Sequence, residues 1–173
     1  MRLFVALLTF GACGGFGAGF MNYMGGEPIE ADVRNLSVNS QPYVESSMVV
    51  PANQAFSLEF DLKNQEVSKP HIQITGMGLD DKLTAGMAIT ALWIDDVPVK
   101  LVEEKRNYPL MDEWKFYKLD REISKNTGVR VRMEIMPRAV GTYDGELMIW
   151  VEGGFFGIPI ERAARESLQI TVQ

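Results

Sequence analysis

Catalysis by the common side-chain nucleophiles needs a base beside the nucleophile, and this chain offers little choice of base. His71 is the only histidine, so any Ser-His-Asp or Cys-His arrangement would have to run through it. It follows Pro70 at the start of an apolar run, where an imidazole serves as a surface or hydrogen-bonded structural group. Cys13 is the single cysteine and sits among apolar residues near the N-terminus. A copper centre of one cysteine and two histidines, a haem on a Cys-x-x-Cys-His run and a zinc cluster therefore all lack ligands. No metal or cofactor is expected.

Carboxylates are the remaining chemistry, as Asp80-Asp81, Asp95-Asp96, Asp112-Glu113 and Asp120. None has the spacing of a calcium loop, and paired aspartates read first as solvated turn residues. Glycoside hydrolysis would need two convergent, differently perturbed acids, and no pair stands out. Gly76-Met77-Gly78 and Gly153-Gly154 precede no phosphate-binding helix, so they read as turns. The chain is not expected to be an enzyme, and a small-molecule ligand is not expected either.

Apolar surface is the stronger lead. In residues 146–152, Leu147, Ile149 and Val151 alternate with Met148 and Trp150, so this strand is apolar on both faces. Phe155 and Phe156 follow between glycines, where neighbouring side chains of an extended stretch point opposite ways. Met148, Trp150, Phe155 and Phe156 are therefore the expected partner contacts, with a plug over the end of the domain as the structural alternative for the phenylalanines.

The elements that would carry these residues are strands. Phe56, Leu58, Phe60 and Leu62 alternate with Ser57, Glu59, Asp61 and Lys63, and Val129, Val131, Met133 and Ile135 with Arg130, Arg132 and Glu134. This period of two buries one face and wets the other, as in antiparallel sheets. Further strands are expected at 33–38, 43–50, 71–75, 88–94, 97–102, 114–119, 146–152 and 168–172. Asp95-Asp96 reads as a tight hairpin turn, Pro98 as an edge-strand marker, and Asn126-Thr127-Gly128 as a second turn. The one helical patch expected is a turn or two near 161–166.

In Gly141-Thr142-Tyr143-Asp144-Gly145, a tyrosine between glycines opens a late apolar strand. This resembles the corner before a late strand in immunoglobulin-like and fibronectin-like domains, where the tyrosine hydroxyl ties the corner to the backbone. The resemblance implies an immunoglobulin-like antiparallel β-sandwich, all-β, and implies no activity.

The N-terminus sets the location. Residues 3–24 carry no charge and would extend about 33 Å as a helix, enough to cross a hydrocarbon core of about 30 Å. Arg2 precedes the run and Glu27, Glu30 and Asp32 follow it, which favours a cytoplasmic N-terminus and an exported remainder. Gly11, Gly15 and Gly19 make a four-residue repeat of small residues, a face along which another membrane helix can pack closely. A cleaved signal peptide ending near Gly17 and Gly19 is the competing reading, and lipidation at Cys13 a third. Apolar character continues through Phe20, Met21, Tyr23 and Met24, which favours a retained anchor.

The expected organisation is thus an anchor over 1–26, a linker and first strand over 27–41, and the sandwich over 42–173. The formal net charge of -6 over 173 residues gives no general attraction for nucleic acid. With no second cysteine, no disulfide forms within the chain, and the domain must stand on its core. These features together lead to an expected single-pass subunit of the bacterial inner membrane. It would be an accessory part of a respiratory, photosynthetic or secretion complex, in contact with the lipid bilayer and other integral membrane subunits, with its C-terminal domain in the periplasm. The alternative is a secreted or tethered carbohydrate- or protein-binding module that stacks sugars on Trp93, Trp114 or Trp150.

Overall fold

The computed structural model describes residues 31–45, 48–64, 71–106, 114–155 and 158–173. The N-terminal run with Gly11, Gly15 and Gly19, Tyr108, the Asp112-Glu113 pair and Phe156 lie outside the described residues. Among the described residues no helix is long and apolar enough to cross a membrane.

Alternating sequence becomes two facing sheets. The first runs β2 (Gln41–Pro42), β1 (Ala31–Val38), β4 (Phe56–Asn64), β10 (Gly128–Pro137), β6 (Met87–Ile94) and β7 (Val97–Pro98). The second runs β3 (Met48–Val50), β12 (Ile158–Val172), β11 (Gly141–Phe155), β5 (His71–Leu79), β9 (Trp114–Ser124) and β8 (Glu103–Arg106). The described residues are nearly all β, with one short helix among them, α1 (Asp81–Thr84). Chain order repeatedly crosses between sheets, so six of the ten described pairings join strands that are not consecutive in sequence.

The two strands with the cleanest alternation lie at the centre of the first sheet, β4 beside β10 in unbroken antiparallel register from Gly128↔Lys63 to Ile135↔Phe56. Phe56, Leu58, Phe60 and Leu62 face Ile72, Ile74, Met77, Leu147 and Ile149 of the second sheet in one core. Each such side chain contributes roughly 1.5–3 kcal/mol by leaving water. Trp150 and Met148 point the other way.

Turns follow their residue chemistry. Asp95 and Asp96 both adopt positive φ, the hairpin geometry expected between β6 and β7. Asn39 and Ser40 do the same between β1 and β2, a turn the sequence pattern had not marked. The Tyr143 hydroxyl donates to the carbonyl of Ala139 at 3.1 Å, pinning the β10–β11 corner to its own start.

Several expectations need correction. Residues 161–166 are not helical: they belong to β12, because pairing along the whole of apolar β11 outweighs the weak strand preference of Glu, Arg and Ala. Gly76 and Gly78 lie inside β5, and Gly153 and Gly154 inside β11, rather than in turns. The run 97–102 is strand only at Val97–Pro98, and 43–50 only at Met48–Val50, while β8 had no clear pattern in sequence. Among the described residues pairing is antiparallel except for β3 against β12, which is parallel.

Candidate interaction site

On the outer face of the second sheet, Phe116, Met148 and Trp150 form a separate buried cluster, 1%, 3% and 4% exposed. The Phe116 and Trp150 ring centroids lie 5.0 Å apart at 38°. A glycine makes room for this. A Cβ on Gly76 would overlap the Phe116 ring, so the aromatic lies directly on the β5 backbone. Met148 and Trp150, expected as partner contacts, are thus brought together and closed off from solvent. Phe155 is paired through its backbone with Ile158.

The three tryptophans do not form a stacking row. Trp93 stands on β6 in the first sheet, whereas Trp114 and Trp150 belong to the second. Trp93 lies under the Arg132 guanidinium, whose carbon is 4.3 Å from the ring centroid. The Arg132 Nε is buried without a hydrogen-bond partner, and contact with the ring face offsets part of that cost. Around this pair the outer face of the first sheet is polar. Arg130 binds Glu59 at 2.6 Å, Asn35 donates to Asp61 at 2.7 Å, and Thr90 donates to Glu134 at 3.3 Å.

Candidate chemical groups are spoken for by the fold. Asp80 is not a solvated turn residue. It is 5% exposed and caps α1, accepting from the Leu83 N–H at 3.0 Å. Burial pushes its carboxyl above the ordinary range, against the bonds it accepts from the Leu83 and Glu146 backbones. A Cβ on Gly145 would overlap that carboxylate. Asp95 accepts from the Arg130 backbone at 2.9 Å and pairs with Arg121 at 2.8 Å, fastening the first-sheet hairpin to β9. His71 is the first residue of β5. Among the described residues no cluster of histidine, cysteine and acid could hold a metal.

A cavity of about 120 Å³ lies between α1, β6 and β9, lined by Thr84, Ile89, Glu103, Tyr117 and Arg138. Ligand pockets measure about 300–1,000 Å³. The Tyr117 hydroxyl donates to the Ile89 carbonyl at 3.3 Å across this space, and burial, then Glu103, raises its pKa. The space acts as a packing gap between the sheets at one end.

The clearest unused capacity for binding is an edge. β12 pairs with β11 without a break from Phe155↔Ile158 to Gly141↔Val172, but among the described residues its other side meets β3 only at Ile170–Val172. Gln173 exchanges backbone bonds with Val50 and Ala52, and the Gln169 N–H donates to the Tyr43 hydroxyl at 2.7 Å. Odd positions of β12 therefore turn their backbone away from β11. By that alternation Glu161, Ala163, Arg165 and Ser167 present N–H and C=O groups that no described strand takes up. Pro159, which has no N–H, ends this window on one side, and Tyr43 ends it on the other. Sequence reasoning missed the window because it expected a helix at 161–166. The proline at an odd position was the one available signal.

Just inside this edge, Glu166 is half-buried, and burial, then the charge of Asp32 on β1, raises its carboxyl pKa. An acid on the inner side of an edge strand discourages indiscriminate pairing.

No protein-family model matches the chain, and no curated protein matches it. Solved structures do. AvmM, which catalyses macrocyclization in alchivemycin A biosynthesis, is similar at 10% identity and a TM-score of 0.47, over 79% of this chain and 89% of its own. The cohesin module of a Clostridium perfringens family 33 glycoside hydrolase is similar at 12% identity and 0.43, over 82% and 97%. AggA, the major subunit of aggregative adherence fimbriae type I from Escherichia coli, is similar at 13% identity and 0.30, over 82% and 96%. None of these likenesses assigns an activity.

Proposed function

We propose that the chain is a non-enzymatic interaction subunit: an immunoglobulin-like sandwich tethered by residues 3–24 and docked, outside the membrane, on other integral membrane subunits. The Tyr143 corner and the two packed sheets support the immunoglobulin-like assignment. The uncharged N-terminal run with Gly11, Gly15 and Gly19 supports the tether. The observation that carries the reading is the backbone window on β12, because a ladder that no described strand takes up, in the middle of a long strand, is suited to protein contact.

Gentle extraction from native membranes tests it. The chain is expected to co-migrate with a larger assembly, and replacing Gly11, Gly15 and Gly19 by leucine is expected to release it. Migration as a free protein, unchanged by the leucine variant, would remove the proposal.

A further inference from the structure

Resting on the reading of the β12 edge as an interaction site, we infer that its occupant is the β12 edge of a second copy of this chain, paired antiparallel about Ala163.

The backbone restricts the register. Only odd positions of β12 face outward, so two copies can exchange hydrogen bonds only by pairing odd positions with odd. Residues 161–166 read Glu-Arg-Ala-Ala-Arg-Glu, a palindrome. Pairing about its midpoint would set Glu161 against Glu166 and Arg162 against Arg165, and the odd-with-odd rule forbids that register. Centring on Ala163 instead places Glu161 opposite Arg165, Ala163 opposite Ala163, and Arg165 opposite Glu161. Two complementary charge pairs flank a small residue on the twofold axis. A register centred on Ala164 would run Pro159 into Gln169, whose N–H the Tyr43 hydroxyl already holds.

The two ends agree with this choice. About Ala163, Pro159 falls opposite Ser167, so it accepts one bond there and needs to donate none. The window then forms roughly eight backbone hydrogen bonds between copies, and the two six-stranded sheets become one continuous sheet. Arg165 is free to take part. Its existing contact with Glu146 is long, 3.4 Å, between side chains that are 45% and 36% exposed.

Sedimentation equilibrium of the full chain in density-matched detergent tests the pairing. The parent is expected at twice the chain mass. Glu161→Arg and Arg165→Glu are each expected to weaken association roughly tenfold or more, since each sets like charges opposite one another twice. The double variant is expected to recover the parent's association, because the swap restores both pairs. Melting temperature checks that each variant keeps its fold. A monomeric parent, single variants that associate like the parent, or a double variant that stays apart would each overturn the pairing. Association insensitive to β12 and lost on replacing Gly11, Gly15 and Gly19 would locate self-contact in the anchor. That result would leave the subunit reading intact, since that reading fails on loss of co-migration from membranes.

Discussion

On the outer face of the first sheet, Trp93 is half-buried under Arg132 within a lattice of charges; on the second, Trp150 packs with Phe116 and Met148 and is 4% exposed. Both residues lie on the outer face of their sheet, Trp93 on β6 and Trp150 on β11. They differ in what their neighbours supply. Around Trp93 the adjacent strands bring Arg132, Glu59 and Glu134, whereas beside Trp150 β5 brings glycine, which lets an aromatic ring lie flat against the backbone. The edges are more alike: among the described residues β1, β6 and β12 are each covered over only two or three positions. The first sheet ends in two-residue strands, each finishing in proline, at Pro42 and Pro98. The second ends in β8 on one side and, on the other, in β3, which among the described residues covers β12 only at Ile170–Val172.

The contrast is most exposed to test at the tryptophans. Trp150→Ala is expected to cost about 3–5 kcal/mol in denaturant unfolding, as for other buried large-to-small changes. Trp93→Ala is expected to cost about 1 kcal/mol, mainly the lost contact with Arg132. Equal costs would end the distinction between the two faces. Next in size, Gly76→Ala is expected to destabilise by about 1–3 kcal/mol, because its Cβ must displace the Phe116 ring. A neutral result would mean that the aromatic does not depend on close approach to β5.

Asp80 sharpens the comparison from the second sheet's side, since it joins α1 to β11. Asp80→Ala is expected to cost about 1–2 kcal/mol for the lost cap. Asp80→Asn is expected to show the pH sign. The folded state raises the Asp80 pKa above 3.8, so it favours the protonated acid, and that contribution is lost as pH rises through the folded value. The stability of Asp80→Asn relative to the parent should therefore increase between about pH 3 and about pH 7. A difference independent of pH would show that burial does not govern this carboxyl. Arg130→Ala on the first sheet is expected to be the mildest, with no change in melting temperature beyond that of other exposed positions.

Legibility in sequence divides along the same line. The first sheet's central strands, 56–64 and 128–137, announce themselves because one face is wet and the other dry, and that alternation is a local property. The turn at Asp95-Asp96 and the corner at Tyr143 were legible for the same reason. On the second sheet the apolarity of both faces of residues 146–152 was visible, but its meaning was not. Whether Trp150 meets a partner or Phe116 depends on a strand some thirty residues earlier and on a glycine in a third. The run 161–166 was misread because its strand state comes from β11 and not from its own residues. The open window beside it follows from where β3 stops, which no local pattern encodes.

The β11–β12 hairpin also has a consequence in time. Its fifteen paired positions close over two residues of chain, a local event on a scale of about 1–10 μs. The heart of the first sheet pairs β4 with β10 across 65 to 79 residues, and loops of that length make such topologies fold in about milliseconds to seconds. β12, the strand of the proposed contact, therefore belongs to the hairpin that can form soonest, ahead of the sheet that packs against it.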